Sequence, residues 1–121
     1  MGEKGNSALF LVVQHAPLST QEKYLPMMRE AVKKGKARGT SLALLEDRVL
    51  MRNGKRQLYG SQVVTDPETS EKRFFPIEDV DNVDRRRAEV GLQPLAEYAQ
   101  HFGITWDAAA IEKNRKLEPD K

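Results

Sequence analysis

Only one stretch of this chain alternates like a strand and then turns back on itself. Gln57 to Val64 alternates, Asp66-Pro67-Glu68-Thr69 has the residue types of a tight turn, and Arg73-Phe74-Phe75-Pro76-Ile77 returns. Two strands alone are at best marginally stable in water, so helices must cover them. The expected fold class is therefore α+β, a helix-rich single domain with one β-hairpin packed on the helices. Pro76 demotes the far end of the second strand to an edge, and Gly60 predicts a bulge or a close backbone approach in the first.

Helix punctuation accounts for most of the remaining chain. Ala8 to His15 is apolar and fits either a buried strand or a buried helix by periodicity; Asn6 or Ser7 at its start favours helix. Pro17 ends that element, and Ser19-Thr20-Gln21-Glu22 has capping-box spacing. The helix it opens runs toward Gly35, with a kink or restart expected at Pro26. Thr40 or Ser41 opens a second helix with Leu42, Leu45 and Val49 as one stripe, stopped by Asn53-Gly54. Acidic residues from Glu78 to Asp84 precede a third helix that Gly91 closes, and Pro94 and Gly103 bracket a fourth. From Asp107 a loose, fraying helix is expected. The 121 residues fit one domain, 1–121, with 1–6 and 116–121 expected to be disordered.

Composition narrows the functional classes. There is no cysteine, which removes disulfides, thiolate nucleophiles and zinc ribbons and fits a reducing compartment. The longest apolar run, Ala8 to Val13, is far too short to span a bilayer, so a cytoplasmic protein without membrane partners is expected. The net charge is +2, which argues against nucleic acid as a partner. Charge is unevenly spread: Arg29 to Arg56 holds nine bases against three acids, and Asp66 to Glu89 eight acids against five bases. The first of these segments is the only candidate for a nucleic-acid surface.

No phosphate loop, dinucleotide fingerprint, HExxH or nucleophile elbow occurs. Several short groups do recur in a recognisable order: Val13-Gln14-His15-Ala16, Asp47-Arg48, Tyr59-Gly60-Ser61-Gln62, Pro76-Ile77-Glu78-Asp79, and Asp84 with Arg86-Arg87 and Gly91-Leu92, Pro94-Leu95. In this the chain resembles a bacterial family of uncharacterised proteins bearing QHA, DR, YGTQ and DxRR…GLxPLxEY signatures. The resemblance covers residues 8 to 99 and brings no activity with it. Ser61 stands where the family pattern has threonine, and the helical region that often precedes QHA is mostly absent.

These polar residues sit in segments that otherwise serve packing, which makes them the candidate site. His15 and Asp47 are the catalytic candidates, because imidazole titrates near neutrality and a carboxylate can accept a proton. Arg48, Tyr59, Gln62, Asp84, Arg86 and Arg87 are the ligand-binding candidates; a guanidinium offers a planar fork to a carboxylate or phosphate. Ser61 could serve as a nucleophile only with a base in reach. The bland alternatives are a helix-capping His15, an Asp84–Arg87 salt bridge on one helical face, and a Gln62 paired with main chain. No metal site or cofactor is expected.

The best reading at this level is a small domain whose polar pocket binds an anionic or polar small molecule, with hydrolysis as one form of it. The alternative is a non-catalytic protein-interaction or adaptor module. Its contact surface would be an exposed hairpin bearing Tyr59, Phe74 and Phe75. His101 reads as a group compensating a helix dipole, and Phe102 and Trp106 as packing for the tail.

Overall fold

The computed structural model describes residues 16–35 and 38–119. The first element, α1, spans Leu18–Lys33. Pro17 is its N-cap, and its carbonyl accepts the amides of Thr20 and Gln21 at 3.0 and 3.1 Å. The helix is therefore under way before Ser19, and the capping box expected there does not form. It also runs unbroken through Pro26, without the restart the sequence suggested. Helix α2 spans Gly39–Arg52 and packs against α1 through Leu25, Met28, Leu45 and Val49, the first of two apolar cores, with Arg29 bonded to Glu46 and Glu22 to Asn53, so the two helices run in opposite directions.

The hairpin is shorter than its alternation predicted. Strand β1 is Val63–Thr65 and β2 is Lys72–Phe74, antiparallel, with Val63 opposite Phe74 and Thr65 opposite Lys72. Residues 58–62 are irregular, because Gly60 turns the chain at φ +71°. Gln57 instead forms an isolated parallel bridge with Ile77. Asp66 closes the turn, its Oδ1 accepting the amides of Glu68 and Thr69 at 2.8 and 3.3 Å.

A short 3-10 turn, Val80–Asn82, leads into α3, Val83–Glu89, and α4, Leu95–Gln100, follows. Helix α5, Ala108–Lys116, is firmer than the fraying tail expected. Asp107 caps it by accepting the Ala110 amide at 2.9 Å. Further along, buried Asn114 accepts the Ile77 amide at 2.9 Å and donates to the Phe74 carbonyl at 3.2 Å. The second core gathers Phe74, Ile77, Val80, Val83, Leu95 and Ala99, with Trp106 edge-on to Phe74.

The exposed aromatic surface expected on the hairpin for an adaptor does not form. Phe74 and Phe75 are 2% and 7% exposed, so both rings belong to the interior and do not form an exposed hairpin surface. No helix among the described residues is long and apolar enough to cross a membrane.

Candidate functional site

Most of the polar residues singled out in the sequence meet at one place, the irregular loop 57–62. Asp47 reaches it from the middle of α2 and is 0% exposed. One carboxylate oxygen accepts the amides of Leu58 and Tyr59 at 2.8 and 3.0 Å. The other accepts the amide and the hydroxyl of Ser61 at 3.0 and 2.7 Å. An ionised carboxylate has about four acceptor directions, and all are taken. Burial pushes its pKa above the usual carboxylate range, and the hydrogen bonds from Ser61, Tyr59 and Leu58 pull it back.

The loop's carbonyls are met from the opposite side, by α3 and α4. Arg86 Nε donates to the Leu58 carbonyl at 2.7 Å, and its other nitrogens donate to the carbonyls of Asp79 and Glu78. Arg87 Nη1 donates to the Tyr59 carbonyl and its Nε to the Gln93 carbonyl, each at 2.6 Å. The Tyr98 hydroxyl donates to the Ser61 carbonyl at 2.9 Å. Gln57 completes the set: its amide oxygen accepts the Gln62 amide at 2.8 Å, and its nitrogen donates to the Gln62 and Phe75 carbonyls at 3.0 and 2.8 Å.

Side chains thus satisfy both main-chain groups of residues 58, 59, 61 and 62. Since buried main-chain groups must be paired, this clasp explains why so many polar residues occupy packing segments. Gly60 belongs to the same device. A Cβ there would lie 3.0 Å from Leu95 Cδ1 and 3.3 Å from Ile77 Cδ1, the close approach its position in the sequence suggested.

Arg87 is 1% exposed, has its guanidinium 4.9 Å from the centre of the Tyr98 ring, and has an Nη2 without a hydrogen-bond partner. Burial lowers its pKa, with Tyr98, Asp84 and Asp47 opposing. Among the described ion pairs none joins it to Asp84, which caps α4 instead by accepting the Leu95 amide at 2.8 Å. Tyr59 is half-buried, and Gln62 donates to Ser61 Oγ at 3.1 Å. Arg48 stands apart from the clasp with a buried Nε that has no partner; burial and the nearby charge of Arg52 lower its pKa. His15 lies outside the described residues.

A second feature carried no motif. Between β2 and α5 lies a groove of about 550 Å³, a size typical of ligand pockets. Phe102 and Trp106 give it an aromatic wall, and Lys72, Arg73 and Lys113 line it against a single acid, Glu71. Lys72 Nζ sits 5.8 Å from the centre of the Phe102 ring. None of these three cations forms a salt bridge among the described residues. Sequence reading passed over them because Lys72 and Lys113 are far apart along the chain and each alone resembles ordinary surface charge. Among the described residues no group of three or more histidines, cysteines or carboxylates could hold a metal ion.

A family model, described as a family of unknown function (DUF6624), matches residues 1–110. The chain belongs to that family. The matched span holds the clasp and both strands, and it ends within α5 of this DUF6624 member. No curated protein and no solved structure matches the chain.

Proposed function

We propose that this DUF6624 protein is a non-catalytic binding module that takes an anionic partner in the groove between β2 and α5. The observation that carries the reading is an excess of bases over acids in a groove with an aromatic wall. Lys72, Arg73 and Lys113, without salt-bridge partners among the described residues, line a cavity of about 550 Å³ whose one acidic lining residue is Glu71, while Asp66 acts on Arg73 and Lys113 from nearby. Such a site attracts negative charge and gives it an apolar surface to lie on.

The hydrolytic alternative rests on the Ser61 hydroxyl donating to Asp47 at 2.7 Å. It has less support. Ser61 and Asp47 are 7% and 0% exposed, which leaves a substrate little access to the hydroxyl, and three main-chain amides donate to the same carboxylate and favour its charged form over taking the Ser61 proton. In the reading favoured here Asp47, Arg86 and Arg87 hold the loop and touch no ligand.

A titration with a fluorescein-labelled oligoglutamate peptide tests the proposal. Binding should weaken with added salt, and the double variant Lys72→Glu, Lys113→Glu should lose about tenfold or more in affinity with an unchanged melting temperature. Equal affinity in the variant and the parent would remove the groove from consideration.

A further inference from the structure

The hairpin register determines which main-chain groups of β2 are free. The Phe75 amide donates to the Gln62 carbonyl, and the Asp66 amide donates to the Glu71 carbonyl. With Val64 opposite Arg73, the hydrogen-bonded rungs are therefore 62/75, 64/73 and 66/71. Lys72 and Phe74 lie between those rungs, so their amides and carbonyls point away from β1. Asn114 takes the Phe74 carbonyl at 3.2 Å. The Lys72 amide, the Lys72 carbonyl and the Phe74 amide have no partner on β1, and both residues line the groove.

The groove is therefore also the outer edge of a two-stranded sheet. Such an edge is a template for another strand. Asn114 ends it on one side. On the other, Ser70 turns the chain at φ +63°. We infer that the partner is an extended acidic peptide that pairs with β2 as a third strand, the carboxylates on one of its faces meeting Lys72 and Lys113 beside Phe102 and Trp106. This rests on the groove reading above and adds the form of the occupant. The charge settles which strand fits. A second copy of β2 paired about Lys72 or Arg73 would set that cation against its own like charge, whereas an acidic strand neutralises it.

The test uses an acetylated, amidated peptide alternating glutamate with valine, and two versions of it N-methylated on alternate residues, one for each register. N-methylation removes main-chain donors and leaves the charge intact. One methylated register should bind about tenfold or more weakly than the parent, as expected for losing one or two edge hydrogen bonds, while the other changes less. The parent peptide should also slow exchange of the Lys72 and Phe74 amides. If both methylated peptides bind as well as the parent, strand addition is wrong and the groove reading survives. If the parent's binding is indifferent to Lys72→Glu with Lys113→Glu, both fall. Concentration-dependent dimerisation of the free protein that protects the same two amides would assign the edge to a second copy and overturn the inference.

Discussion

Gly60 sits at φ +71° with Leu95 and Ile77 directly behind its Cα. Gly60→Ala adds left-handed backbone strain of about 1 kcal/mol to an overpacking cost of about 1–3 kcal/mol. We expect a loss of about 3 kcal/mol, read as a shift of the urea midpoint with little change in slope. Asp47 is the second demanding position. An asparagine there has one acceptor oxygen and must turn an NH2 toward amides that are themselves donors. Asp47→Asn should cost about 3–5 kcal/mol, the range for breaking a buried hydrogen-bond network, and chemical denaturation would measure it. Both positions were visible in the sequence as oddities: a glycine in a strand-like run and a carboxylate beside an apolar stripe. What the sequence could not convey is that they serve one loop, because Asp47 reaches residues 58, 59 and 61 around Gly60 only once the chain has folded.

At the scale of elements, the hairpin shows where alternation misleads. Gln57 to Val64 alternates, yet only Val63–Thr65 forms strand, since Gly60 redirects the chain and Gln57 pairs with Ile77. The turn was readable because Asp66 acts locally. Its carboxyl is held below the ordinary range by the amides of Glu68 and Thr69. A folded pKa below the unfolded one means the contribution is present above about pH 4 and lost as pH falls through the folded value. Below about pH 4 the backbone signals of the turn should begin to loosen, and Asp66→Ala should remove that acid-side step; an identical acid response in the variant would contradict it. Helix α5 was read as a loose tail because its anchor, Asn114, is one amide whose partners, Phe74 and Ile77, lie about forty residues earlier. Nothing in local spacing announces that.

For the whole molecule, the clasp lies between two apolar cores that draw on separate parts of the chain. Leu25, Met28, Leu45 and Val49 make one, and residues from Phe74 to Ala99 make the other. Asp47 belongs to the first half and Arg86, Arg87 and Tyr98 to the second, and all four hold the same four-residue stretch of main chain. The polar residues that looked like a dispersed active site thus join the halves. The groove borders the second core through Phe74, Ile104 and Trp106 and is built from residues with no distinguishing motif. Native-state hydrogen exchange at the loop tests this directly. An ordinary irregular loop opens at little cost, while a clasp opens only when the domain does. The amides of Leu58, Tyr59 and Ser61 should exchange as slowly as those of Leu45 and Ile77, with the same denaturant dependence. Fast exchange of the loop amides, with the two cores opening at separate free energies, would mean that Asp47 and the arginines do not hold the fold together.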